Sequence, residues 1–438
     1  MRDEVQYPRV LVFGQGFDPD WGGGITIINL FKGWPKDRIA SVVTNYARVK
    51  ANDICINVYG LERWRWPLSH FIKSKTIRPG SNYSLSKLNI SKIKERNKSE
   101  KKLLLLMVKT IELTGLIPIL HKEKLTKHFI QWVIDFNPDI IYTQIGDVKV
   151  AVMVYKLCKI LKKPVAIHIM DDWIEAIYKQ GVLSFMSRLR LNYYFAKLIN
   201  SSPMVMGISE AMCIEYKKRY NKEFISFHNP VELSTWYDFQ KKNWTYLGVF
   251  KIVYVGRIGI ATKNGLNDIA KALDFLNKGS LKAQLKIVTP DFTESLKGYF
   301  ESFEGVELCP QVPHSEIPSI LENADLLFLP LDFDNKARKF SLFSMPTKAT
   351  EYMASGTPTL IYAPAEIALT QHAKVNKWAY VVCERDTKQL LNAIIELMIN
   401  EQLRFNLGSK AIYTANEKHN SKDIRNDFRM ALLLGAKI

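Results

Sequence analysis

Acidic side chains are scarce relative to basic ones. Against 61 lysines and arginines stand 43 aspartates and glutamates, a formal charge of +18 at pH 7. Cysteine is scarcer still, with five residues scattered at positions 55, 158, 213, 309 and 383 and no C-x-x-C pair. An odd, dispersed set argues against a disulfide framework or a zinc site and suits reduced thiols in the cytoplasm. Long apolar runs are missing as well. The most lipid-like stretch, residues 103–120, is broken by Lys109, Glu112 and Pro118, which is too soon to span a bilayer. Acids precede the short apolar run near the N-terminus, so no secretory signal is expected. The dinucleotide fingerprint G-x-G-x-x-G also fails, because Gly14 and Gly16 are followed by Pro19 where the third glycine should stand. No internal repeat is evident.

What remains is ordinary globular material: 438 residues, 47% hydrophobic and 24% charged. That length is too great for one core and suits two domains. Strand and helix patterns alternate along both halves, which implies parallel sheets covered by helices. In the first half, strands are expected at residues 9–13, at ASVVTN, DICINVY, PDIIYTQIG, PVAIHIMDDW and MVMGIS, and in FISFHNPV. In the second, they are expected at FKIVYV, LKIVTP, VELCP, ADLLFLPL, TPTLIYAP and AYVVCE. Asn229-Pro230 begins a connection between the halves. The expected division is residues 1–230, 231–415, and a final helical segment 416–438.

Charge is unevenly spread. Residues 60–130 hold 16 lysines and arginines against five acids, together with RWRW at 63–66 and the leucine-rich stretch. Cations, indoles and aliphatics suit an anionic bilayer interface; an ordinary basic surface over a buried helix is the other reading. Specific nucleic-acid binding is not expected, since no reading helix or aromatic signature accompanies the charge.

Two stretches carry chemistry. The first is residues 324–358, where a buried apolar run leads through a polar loop to Pro346-Thr347 and a short helical pattern closed by Gly356. Thr347 or Ser344 could cap that helix. Free amides at its start make an anion site, Lys348 adds a charge, and Glu351 can accept two hydrogen bonds from a diol. Amides and a cation for phosphate, with a carboxylate for hydroxyls, describe a nucleoside-diphosphate sugar. The second is VGRIGIATKNG, residues 255–265, where Gly256, Arg257 and Lys263 follow one strand and precede a helix. Fixed cations on a glycine-bearing turn suit a diphosphate. In the first half, Gly22, Gly23 and Gly24 open a helix and permit close backbone approach to another surface. His168, Asp171 and Asp172 fall at a strand's C-terminal end, where open α/β sheets bind ligands. Asp171 and Asp172 could orient an acceptor hydroxyl or cap the next helix. Asp332 and Asp334 imitate a metal-binding D-x-D, but two acids in a loop are usually solvated.

The pattern V-G-R-x5-K-x-G, then HSEIPSILENADLLFLP, then P-T-K-x-x-E-Y-M-A-S-G-T-P, resembles glycosyltransferase family 4. The resemblance is strongest over residues 251–365 and weak over 60–130. It implies a GT-B fold, two facing Rossmann-like α/β domains with a cleft between them. It also implies retaining transfer of a sugar from a UDP- or GDP-sugar to a glycan or polyprenyl-linked acceptor, with no metal or other cofactor required. By that likeness Arg257 and Lys263 bind the diphosphate, Glu351 holds the ribose hydroxyls, His168 faces the donor sugar, and Gly22–Gly24 closes against the phosphates. The resemblance also implies that the last helix crosses back onto the first domain. The sequence departs from the family at Phe343, where many members carry a second glutamate; sugar contacts would then come from the backbone of residues 340–346 or from Ser344. A nucleotide-sugar epimerase on the same fold, and a degenerate transferase acting as a binding partner, are the alternatives.

Overall fold

The computed structural model describes residues 6–18, 22–44, 52–63, 72–77, 125–172, 174 and 183–437. Of the basic segment, residues 64–71 and 78–124 lie outside the described residues, and with them most of RWRW and the whole leucine-rich stretch. The chain divides into two compact units, Met1–Phe227 with Arg425–Ile438, and His228–Ile424.

Unit 1 is built on strands β1 (Val10–Phe13), β2 (Ile39–Val43), β3 (Val58–Arg63), β4 (Ile72–Ile77), β5 (Ile140–Thr143), β6 (Val165–Ile169), β7 (Met204–Gly207) and β8 (Ile225–Ser226). Their order is β4-β3-β2-β1-β5-β6-β7-β8, parallel except for the β3/β4 pair. Runs such as VLVF and IASVV are buried along their whole length, as a sheet covered on both faces requires. Two strands differ from expectation. DICINVY extends only from Val58, because the Asn52 side chain folds back on the amides of Ile54 and Cys55 and makes a turn there instead. FISFHNPV pairs over only two residues.

The helices of unit 1 begin where polar caps predict. Thr126 caps Lys127–Phe136, Asp147 caps Val148–Leu161, and Ser209 caps Glu210–Tyr220. The C-terminal helix Ser421–Ala436 brings Phe428 edge-on to Phe31, Tyr142 and Phe227 at 5.2, 5.6 and 5.5 Å. Residues from Arg425 onward thus complete the core of unit 1.

Unit 2 carries β9 (Phe250–Val255), β10 (Ala283–Thr289), β11 (Val306–Pro310), β12 (Leu326–Pro330), β13 (Thr359–Tyr362) and β14 (Tyr380–Val382), in the order β11-β10-β9-β12-β13-β14 and wholly parallel. Counted within the unit this is 3-2-1-4-5-6, the doubly wound order. Successive connections run to opposite sides of β9 and β12, so their C-terminal ends diverge and leave a crevice. That topology, rather than any single motif, fixes where a ligand of this unit is expected.

Candidate functional site

The crevice falls where β9 ends in Val255-Gly256-Arg257. Gly256 has φ +144°, a conformation that side-chain-bearing residues rarely adopt. A Cβ there would stand 2.3 Å from Lys348 Nζ and 3.0 Å from its Cε. The glycine therefore leaves room for the lysine to reach the strand end. Lys348 Nζ donates to Tyr254 Oη at 2.9 Å, and Tyr254 Oη in turn donates to the Arg257 carbonyl at 2.6 Å. Lys348 and the Arg257 turn are thereby joined through one phenol. The Arg257 side chain is exposed and meets Asp291 at 3.3 Å, while the other oxygen of Asp291 accepts from the Ile258 amide at 2.9 Å. Asp291 thus fixes the turn that presents the guanidinium.

Lys348 stands in the first turn of helix Thr347–Ser355. The helix is held to β9 by Tyr352, whose buried hydroxyl accepts from the Val255 amide at 3.0 Å. Neither Thr347 nor Ser344 caps it. The N-cap position is Pro346, which makes no side-chain cap bond, and Thr347 already lies inside the helix. Asn229 fixes the approach by donating to the Met345 carbonyl at 2.9 Å. An uncapped start beside a lysine presents backbone donors and positive charge together. One turn on, Glu351 Oε1 meets His314 Nε2 at 3.0 Å. That hydrogen bond raises His314 above its ordinary value, against the opposing effect of burial.

Lys263 opens helix Lys263–Leu276 with an exposed side chain. The amide donors of that helix are already engaged, since Asp332 accepts from Asn264 at 2.9 Å and from Gly265 at 2.7 Å. Asp334 likewise caps helix Asn335–Ser341 through the amides of Lys336 and Ala337. The D-x-D imitation is therefore a pair of helix caps, not a pair of solvated acids. Among the described residues no group of three or more His, Cys, Asp or Glu is arranged to hold a metal ion.

In unit 1 the glycine run does open a helix, Gly22–Phe31. The surface that Gly24 approaches is the chain's own loop: a Cβ there would lie 2.2 Å from the Asp18 carbonyl oxygen. His168 is wholly buried on β6, with Nδ1 2.8 Å from Tyr142 Oη, and it packs against Phe227. Asp172 is committed to structure, accepting from Tyr216 at 2.8 Å and pairing with Arg219 at 2.9 Å. Asp171, beside it, has its carboxyl pushed up by burial. Tyr254, Asp291 and His314 escaped the sequence reading. The first two carry no motif, and the imidazole lay within the quoted HSEIPS string without a role.

Residues 249–400 match the family Glycosyl transferases group 1. No curated protein matches the chain at the sequence level. Among solved structures, HepE of Anabaena in complex with UDP-glucose is 13% identical, with a TM-score of 0.62 over 98% of this chain and 100% of that one. Sucrose-phosphate synthase from Thermosynechococcus elongatus is also 13% identical, with a TM-score of 0.62 over 97% of this chain and 98% of that one. A glycosyltransferase from Rickettsia africae is 11% identical, with a TM-score of 0.60 over 98% of each chain. The fold is the expected one, GT-B, with two Rossmann-like α/β domains.

Proposed function

We propose that the protein transfers a sugar, with retention of anomeric configuration, from a nucleoside-diphosphate donor to a glycan or lipid-linked acceptor in surface-polysaccharide biosynthesis. The observation that carries this reading is the convergence at the end of β9. There Gly256 yields its side-chain space to Lys348, and one tyrosine ties that lysine to the Arg257 turn. Two cations and the uncapped start of a helix suit a diphosphate, whose charge grows on the leaving oxygen as the anomeric bond breaks. Arg257, Lys263 and Lys348 are the groups assigned to that charge, and Thr347 and Gly256 supply backbone around it. Glu351 accepts from the ribose diol, which requires it to share or surrender its bond to His314. Ser344 and its neighbours stand in for the acid that Phe343 replaces.

UDP is the favoured nucleotide, because HepE, of the same fold, binds UDP-glucose. Asp171 is the acceptor-side candidate that remains once Asp172 is assigned to its ion pair. His168, closed in by Tyr142 and Phe227, acts by positioning rather than by proton transfer. Five unpaired cysteines suit a reducing compartment, which is consistent with action in the cytoplasm.

The test uses purified protein with labelled UDP-, GDP- and ADP-sugars. A cognate donor raises the melting temperature by mass action, and labelled sugar reaches an added acceptor. The Arg257→Ala/Lys263→Ala variant should lose turnover by two orders of magnitude or more, on the order of what one lost electrostatic donor costs. Near-normal turnover in that variant would overturn the assignment. Donor conversion without any acceptor would favour an epimerase instead.

A further inference from the structure

Among the described residues of unit 1, one helix face leaves an apolar stripe exposed. In helix Ser184–Ser201 one face buries Leu191, Phe195, Leu198 and Ile199 in the core. The opposite face leaves Phe185, Met186, Leu189 and Tyr193 open at 54, 41, 63 and 53%. Phe185, Leu189 and Tyr193 are spaced i, i+4, i+8 and so fall in one line along the helix. Arg188 borders that line on one side, Arg190 and Lys197 on the other, each roughly 80–100° around the helix from Leu189. The neighbouring helix Val148–Leu161 packs alongside and extends the same surface. Tyr155 meets Tyr194 edge-on at 5.4 Å. Lys197 Nζ lies 4.6 Å from the Tyr193 ring and 5.9 Å from that of Tyr155, and Lys159 Nζ lies 5.9 Å from Tyr155.

Across residues 148–163 and 184–201 the sequence places eight lysines and arginines and not one acid. We propose that this face lies on an anionic lipid bilayer, with Phe185, Leu189 and Tyr193 entering the headgroup boundary and the surrounding cations meeting lipid phosphates. Charge chooses the occupant. A second copy would bring the same cationic face against this one, and like charges repel. An acidic surface with an apolar interior beneath it is what a ring of cations around an aromatic and aliphatic line fits. Since the other side of the helix is core, the helix lies along the interface and does not cross it; no described helix is long and apolar enough to do so. The proposal stands whether or not the transferase reading does.

The experiment is vesicle co-sedimentation of the full chain at low and high salt. It compares vesicles of phosphatidylcholine with phosphatidylglycerol against phosphatidylcholine alone. The wild type should sediment with the anionic vesicles at low salt and be released as the Debye length falls to ~3 Å near 1 M salt. The Leu189→Glu/Tyr193→Glu variant, altered only at exposed positions, should keep its melting temperature and lose at least ~10-fold in vesicle affinity. Lys159→Gln/Lys197→Gln should weaken binding and flatten its salt dependence. A wild type that ignores anionic vesicles, or a Leu189→Glu/Tyr193→Glu variant that sediments like wild type, overturns the proposal. Light scattering that shows a dimer split by the same variant also overturns it, in favour of self-association.

Discussion

Replacing Gly256 by alanine tests whether the β9 end is built around Lys348. Two penalties follow from the geometry. The first is local: φ +144° is a conformation that alanine resists, at a cost of ~1–3 kcal/mol. For a domain of 150–250 residues that is a fall of roughly 2–12 °C in melting temperature. The second is functional. The new methyl would stand 2.3 Å from Lys348 Nζ, and ordinary contact needs ~3.5 Å, so the ammonium must withdraw by about 1 Å. Its 2.9 Å bond to Tyr254 breaks or tilts, and a phosphate held by that ammonium loses a charge-assisted hydrogen bond worth ~1.5–3 kcal/mol. Expressed as UDP affinity this is a ~10- to 150-fold rise in Kd, read by isothermal titration calorimetry. The cycle with Lys348→Ala separates the two penalties. On that background the thermal penalty persists and the affinity penalty disappears, giving a coupling of the same 1.5–3 kcal/mol size. Gly256→Ala binding UDP within twofold of wild type, or an additive cycle, would refute the placement of Lys348 at the phosphate.

His314 should make nucleotide affinity depend on pH. Its pKa is raised by the hydrogen bond to Glu351, so the pair stabilises the fold fully below the unfolded imidazole value of ~6.5. That contribution is lost as pH rises through the raised value. A ribose diol needs the same carboxylate, so UDP affinity should rise over this interval, and His314→Gln should flatten the part of the slope that does not belong to the phosphate. Identical slopes in the two proteins would sink the competition. Asp332→Ala removes two amide acceptors at the start of helix Lys263–Leu276, a loss of about 1–2 kcal/mol, with UDP affinity within a few-fold of wild type. Collapse of UDP affinity at an unchanged melting temperature would instead show the acid serving the ligand.

The second half of the chain is legible at its centre, where β12 is a run of β-formers buried along its whole length, and less so toward the sheet edges, where β11 and β14 are only partly buried. ADLLFLPL and FKIVYV need no partner to declare themselves, and six strand patterns separated by helices leave few topologies open. Legibility failed wherever a local signal competed with a long-range one. Thr347 looks like a cap in sequence, yet Pro346 occupies that position and leaves the helix start open. Asp332 and Asp334 look like a loop motif, yet each finds a helix N-terminus, in one case 67 residues away. The contact that defines the site was the least visible. Tyr254 and Lys348 are 94 residues apart, and Tyr254 sits in its strand as one more apolar residue. The sequence displays the glycine and the lysine but not that one makes room for the other. Gly24 shows the same thing, since a Cβ there would meet the Asp18 backbone, a neighbour the sequence does not announce. A glycine run announces that something approaches, and only the fold says what. For Gly256 the approaching group carries a charge, and so that glycine is expected to register in ligand affinity as well as in stability.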